Sequence, residues 1–189
     1  MRRRRTMSER WVVAHCSPTL AGLKTGSLFP LGAEPGEKTT KFLRALNQKG
    51  VPRGLCAVTV CTARGRALLY LYRPAKLWRD LSHPLAQRIL RQKGYPINNV
   101  GQSVAYLAKR FAKSETFPHE VGLFLGYPPA DVNGFLTGSE AAKCIGTWKV
   151  YSDVPAALQR FALYEKCTAL YCRVFERHAS FDRLIVSCS

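Results

Sequence analysis

Sixteen residues near the start, "AHCSPTLAGLKTGSLF" (14–29), place a thiol directly before Ser-Pro-Thr. Ser17 suits a helix N-cap, Pro18 the first helical position and Gly26 a stop, so the spacing predicts a short helix over 18–25. Cys16 would then sit just outside the helix start, where the positive end of the dipole favours a thiolate, the reactive form of cysteine. A nucleophilic thiol needs a base and an orienting acceptor. His119 is the candidate base, at the start of an apolar run. His15 adjoins Cys16, but neighbours on an extended segment point apart. Glu120 opposes His119 on a strand for the same reason, which leaves Asp131 or Asn133 as orienter. A cysteine at a helix start facing a histidine on a strand is the layout of papain-like enzymes, by analogy only. On this reading Cys16 is the most readily alkylated thiol, ahead of Cys188 near the chain end. The competing reading is structural, because free cysteine is among the most buried residue types.

The same helix start offers free amides to an anion, with Lys24 and Thr25 nearby. "GLKTG" is no Walker loop, since it lacks the Gly-x-x-x-x-Gly-Lys-Ser/Thr spacing. The seven cysteines include no Cys-x-x-Cys pair, which favours free thiols over disulfides or zinc. Cys56 and Cys61 fall on opposite faces of one strand. Cys167 and Cys172 lie about 140° apart around a helix and form no natural chelate. No metal or cofactor is expected.

Charge is distributed unevenly. Residues 38–113 carry 16 Lys/Arg and one acid, Asp80, whereas 114–189 carry seven Lys/Arg and eight acids. The formal net charge is +17, and it falls to +13 without the basic start at residues 1–6, which reads as a disordered or artefactual prefix ahead of Met7. Such a field suits an acidic partner, with Arg64, Arg66, Lys76 and Arg79 as contact candidates. Tyr70, Tyr72, Arg73, Lys76, Trp78 and Arg79 interleave aromatics with cations, a pattern that also suits RNA. The alternative is a solvated basic surface, with Tyr70 and Tyr72 packed beneath a helix.

The elements that must position these groups make an α+β pattern: one domain over 7–189, with a small mixed sheet covered by helices. Phe42, Leu43 and Leu46 share a helical face over 38–49, and Gly50 stops it. "LCAVTVCTARGRALLYLYRP" gives β-rich runs at 55–61 and 66–73 around a turn, a hairpin signal. Leu77 and Leu81 mark a short helix. Ser82 suits the cap of the next, with Leu85, Ile89 and Leu90 inward and Gly94 after it. Val100, Val104, Leu107 and Phe111 repeat at helical spacing. "HEVGLFLGY" (119–127) is apolar on both faces and reads as a central strand. Val132, Phe135 and Leu136 suit a helix after Pro129. "CIGTWKVY" (144–151) reads as a strand, and a long helix runs from Ser152-Asp153 to about Arg177. "RLIVS" reads as a last short strand. No apolar run approaches the ~20 residues that span a bilayer, and no signal peptide is evident, so the chain is read as cytoplasmic with no membrane partner.

Five segments together carry a resemblance: "CSPTLAGLKTGSLF", "LYLYRPAKLWRDL", "FPHEVGLFLGYPPADVNGFL", "KCIGTWKVY" and "YEKCTALYC". From about residue 12 to the end, the chain resembles the bacterial family called domain of unknown function 3793. The resemblance implies no activity. It implies a setting mainly in anaerobic bacteria, loosely associated with genes for flavodoxin and ferrous-iron transport. Relatives often carry a bulkier or thiol residue where Thr147 stands. Two functions follow as expectations: a cysteine-dependent hydrolase or transferase using Cys16 and His119, or a non-enzymatic protein docking an acidic partner such as flavodoxin, with RNA the less specific choice.

Overall fold

The computed structural model describes residues 8–31, 36–114, 116–138, 140–178 and 181–187. The prefix at 1–6 and Cys188 lie outside the described residues. Helix α1, Glu9–Leu20, precedes strand β1, Gly26–Pro30. Helix α2, Glu37–Gly50, leads through a 3-10 turn at Val51–Arg53 into β2, Cys56–Cys61, and β3, Ala67–Tyr72. Then come α3 (Pro74–Leu81), α4 (Pro84–Gln92), α5 (Val100–Lys113), α6 (Val121–Phe124) and α7 (Pro129–Thr137). A minimal hairpin, β4 (Cys144–Ile145) and β5 (Lys149–Val150), precedes the long α8, Val154–His178, and a 3-10 turn at Phe181–Leu184.

"ALLYLY" forms β3, the middle strand of a three-stranded sheet ordered β1-β3-β2, and all six residues are buried. Tyr72 stands opposite both Gly26 and Cys56. Alternation along β3 divides the core. Ala67, Leu69 and Leu71 face α1, α2 and the end of α8, among Val12, Cys16, Leu20 and Leu46. Leu68, Tyr70 and Tyr72 face α3–α7, among Leu77, Leu90, Leu107 and Phe124. A smaller third cluster joins Trp148 and Val150 to Ala157 and Phe161 of α8. The class is α+β as expected, and the hairpin lies within one residue of its predicted bounds. Every pairing is antiparallel, so the sheet is not mixed.

An exposed sheet edge invites pairing with other chains. The outer edge of β2 is occupied instead. The Asn47 amide both donates to the Ala57 carbonyl and accepts from its N–H, each at 2.8 Å, and the Ala63 N–H donates to the Phe111 carbonyl. Gly26 in β1 permits another close approach, because a Cβ there would lie 2.6 Å from the Phe124 carbonyl oxygen.

Four expected elements are corrected. Helix 18–25 is replaced by α1, which ends at Leu20, and Ser17 is no cap. The Ser17 hydroxyl donates back to the Val13 carbonyl at 2.5 Å, and Pro18 lies inside the helix. Residues 119–127 form a turn and the short α6 rather than a strand. An apolar run buried on all sides has no period to separate the two. Residues 144–151 fold back on themselves as β4–β5, and "RLIVS" forms no strand: Arg183 and Leu184 end the closing 3-10 turn and 185–187 are irregular. At α4 the capping group is His83, whose Nδ1 accepts from the Leu85 N–H at 3.2 Å, while Ser82 donates to the Trp78 carbonyl.

Arg73 is 1% exposed. Its Nε donates to the Thr19 carbonyl at 2.9 Å, Nη2 to the Leu20 carbonyl and Nη1 to the Arg53 carbonyl at 2.9 Å. A planar cation thus closes the last carbonyls of α1, where the dipole favours positive charge. One of the 16 cations in the basic segment is therefore a buried tie between elements.

Candidate functional site

The geometry around Cys16 reverses the sequence expectation. Cys16 lies in the second half of α1, nearer its negative end, and is 0% exposed. Burial pushes the thiol up to about 12, while a bond with the Ser27 side chain and the nearby Lys24 charge pull weakly the other way. Ser27 is itself held by Thr19, with 2.8 Å between their hydroxyl oxygens. Cys16 packs in the core on the Leu69–Leu71 face of the sheet. His119 precedes α6, which packs on the Tyr70 face. Its ring is exposed between Phe117, with centroids 5.6 Å apart, and Phe135, at 4.8 Å. The sheet separates the two, so Cys16 and His119 form no catalytic pair. Asp131, a proposed orienter, is bonded instead to Trp148, Tyr151 and Ser152, within and just after the β4–β5 hairpin. Asn133 follows it on α7, on the same side of the sheet as His119.

Lys24 belongs to the turn after α1, not to a helix start. Its Nζ stands 5.4 Å from the Tyr127 ring centroid and 5.8 Å from that of Tyr164, a cation flanked by two aromatic faces. Burial lowers Lys24 to about 8, against a smaller raising effect from Cys16. The neighbouring Thr25 hydroxyl donates to the Asp80 carboxylate. Between about pH 8 and 10.5 the unfolded chain holds more protons at this residue, so its contribution to stability rises with pH. Relative to Lys24→Met, the wild type is expected to gain on the order of 2 kcal/mol across that window. Urea unfolding at stepped pH checks this, and parallel stability curves would refute it.

A pocket of about 340 Å³ opens on the α6–α7 side of the sheet. Phe117, Tyr127, Phe135 and Trp148 line it, with Leu28, Val121 and Val132 deeper and His119 and Lys149 exposed at its mouth. Tyr127 stacks on Trp148, with centroids 5.0 Å apart and planes at 27°. Lys149 Nζ lies 5.3 Å from the Phe135 centroid. Asp131, 2% exposed, fixes the wall. It accepts from Trp148 Nε1, the Tyr151 and Ser152 N–H groups, each at 2.8 Å, and the Ser152 hydroxyl at 2.7 Å. Burial alone would raise its carboxyl, but these bonds outweigh burial and hold it below the ordinary value. Gly146 makes the β4–β5 turn possible beneath α8, since a Cβ there would lie 2.3 Å from the Phe161 ring.

A second hollow, about 190 Å³, lies between the β2–β3 turn and the end of α5. Arg64, Arg66, Phe111, Thr116 and Phe117 line it, so Phe117 borders both spaces. A third, about 390 Å³, is lined by Tyr106, Lys109, Arg110, Lys113 and Ser114, and Ser114 also borders the second. Arg110 is drawn inward to the buried Glu120 at 3.1 Å, whose carboxylate also accepts from the Tyr95 hydroxyl at 3.0 Å. Lys109, Lys113, Arg64 and Arg66 are exposed, so a cationic strip leads to the pocket mouth.

The expected contact set is split. Arg64 and Arg66 sit at one end of β3, while Lys76 and Arg79 sit on α3 beyond the other end, roughly 20 Å of strand away. The α2 cations lie across the sheet, where Lys41 pairs with Glu37 and Lys49 with Asp182. The +15 of residues 38–113 therefore spreads over several faces. Sequence reasoning missed Lys109 and Lys113, although their four-residue spacing on one helix was an available signal. It also missed Phe117, Phe135, Trp148 and Lys149 as pocket residues, which come from separate segments.

Among the described residues no helix is long and apolar enough to cross a membrane, and no group of three or more His, Cys, Asp or Glu is placed to hold a metal ion. A family model described as "Protein of unknown function (DUF3793)" matches residues 12–185. No curated protein and no solved structure matches the chain. The chain belongs to the DUF3793 family.

Proposed function

We propose that this protein is a non-enzymatic binding protein that docks an acidic protein, of the class to which flavodoxins belong, over the strip formed by Arg64, Arg66, Lys109 and Lys113. The observation that carries this reading is the continuity of two adjoining hollows whose described linings hold cations and no carboxylate. Such a surface concentrates field lines and speeds encounter with a negative partner. The thiol-enzyme reading has no comparable support, because its nucleophile is buried away from its base. A cytoplasmic setting accords with this reading.

The test is surface binding of an acidic flavodoxin across a salt series. Three proteins are compared: wild type, a variant with Arg64, Arg66, Lys109 and Lys113 changed to Glu, and a control with Lys76→Glu and Arg79→Glu. The four-site variant is expected to lose about tenfold or more in association rate at low salt, with little change in unfolding midpoint. The control should lose much less. Equal association by all three proteins, flat with salt, would refute electrostatic docking. RNA run in parallel reads the other class. Tight RNA binding whose log affinity falls steeply with log salt, beside absent flavodoxin binding, would overturn the assignment to an acidic protein.

A further inference from the structure

We propose that the pocket bounded by Phe117, Tyr127, Phe135 and Trp148 binds a flat two-ring aromatic anion, with its acidic group at the mouth beside Lys149 and His119. Size sets the first limit. A buried cavity of about 150 Å³ holds one benzene. The present pocket, at about 340 Å³, matches two fused rings rather than one ring or a large cofactor. Shape and chemistry set the second. Tyr127 and Trp148 form a stacked pair along the wall, and Phe135 and Phe117 offer further ring faces. Phe117 is 47% exposed at the mouth, a large apolar group that a bound ring would cover.

Charge sets the third. Lys149 and His119 are exposed at the rim. The acid lining the pocket, Asp131, has both oxygens committed to donors of Trp148, Tyr151 and Ser152. An entering carboxylate therefore meets a cation at the mouth, and the one carboxylate among the described lining residues is already bonded. A cationic ligand would find no such partner. This site adjoins the macromolecular strip through Phe117, which lines both, but it needs no second protein.

The experiment titrates the isolated protein with 2-naphthoate, neutral 2-naphthamide and benzoate by calorimetry. Wild type is expected to bind 2-naphthoate at least tenfold more tightly than either of the others. Lys149→Met should weaken 2-naphthoate about tenfold and leave 2-naphthamide unchanged. Phe117→Ala, an exposed site, should weaken both naphthyl ligands. The proposal is overturned if 2-naphthoate shows no saturable binding, if 2-naphthamide binds as tightly, or if Lys149→Met changes nothing. The flavodoxin measurement is scored separately, so either result can fail without the other.

Discussion

Iodoacetamide applied briefly to the folded protein at neutral pH is expected to modify Cys61 at least a thousandfold faster than Cys16. Two effects act in the same direction. Cys61 is exposed at the end of β2, whereas Cys16 has no accessible surface. Alkylation also requires the thiolate, and moving a thiol from 9.0 to about 12 cuts that fraction on the order of a thousandfold. Burial on the far side of the sheet from His119 leaves no base to restore it. In denaturant the burial effect disappears, so Cys16 should then label at the rate of the other cysteines. The raised thiol also sets a pH limit. Its favourable contribution is complete below about 9 and is lost as pH rises toward 12. Peptide mapping after timed quenching gives the ratio directly. If Cys16 in the native protein labels within tenfold of Cys61, the thiol is accessible and the enzyme reading regains its basis.

The helices α2, α4 and α5 were legible because each has one buried face and the resulting period is written in the sequence, whereas the β2–β3 hairpin, buried on both faces of β3, was legible from two β-rich runs around a turn. Two failures have a common physical origin. Ser17-Pro18 has the chemistry of a helix start, yet a hydroxyl can return its hydrogen bond to the preceding turn, as Ser17 does to Val13. The run at 121–125 is buried on all sides, so its pattern is uniform and its backbone state is set by tertiary contacts. The site was less legible than the fold. Net charge along residues 38–113 does not record which side of β3 each cation occupies. The pocket walls at Phe117, Tyr127, Phe135 and Trp148 are separated by intervening segments, and only the packing of α6, α7 and the β4–β5 hairpin brings them together. Asp131 was selected as a possible catalytic acceptor. It was reached by setting Glu120 aside, and its actual donors come from residues 17 to 21 positions later.

Asp131→Ala is expected to destabilise the protein by about 2–4 kcal/mol, because it strands several donors at once. Trp148 Nε1 is buried and loses its acceptor, and the Tyr151 and Ser152 N–H groups lose theirs in a partly buried turn. The Ser152 hydroxyl can rotate, so its loss should weigh less. Asp131→Asn separates charge from shape. One oxygen can still serve the residues at 151 and 152, but the amide presents N–H toward Trp148 Nε1, so two donors face each other. About half the cost of the alanine variant is expected, concentrated at the indole. The wild-type carboxyl is held below 3.8, so its stabilisation is present above that pH and is lost as pH falls through the folded value. Asp131→Asn should therefore show a shallower acid limb than wild type. Because Trp148 forms the pocket wall, both variants should also weaken 2-naphthoate, even at temperatures where they remain folded. Urea unfolding from pH 7 to pH 2, followed by circular dichroism, supplies the stability curves, and calorimetry supplies the ligand effect. An alanine variant within 1 kcal/mol of wild type would show that water replaces the carboxylate without penalty. Asp131 would then be an incidental acceptor rather than the residue that fixes the β4–β5 hairpin and the pocket wall.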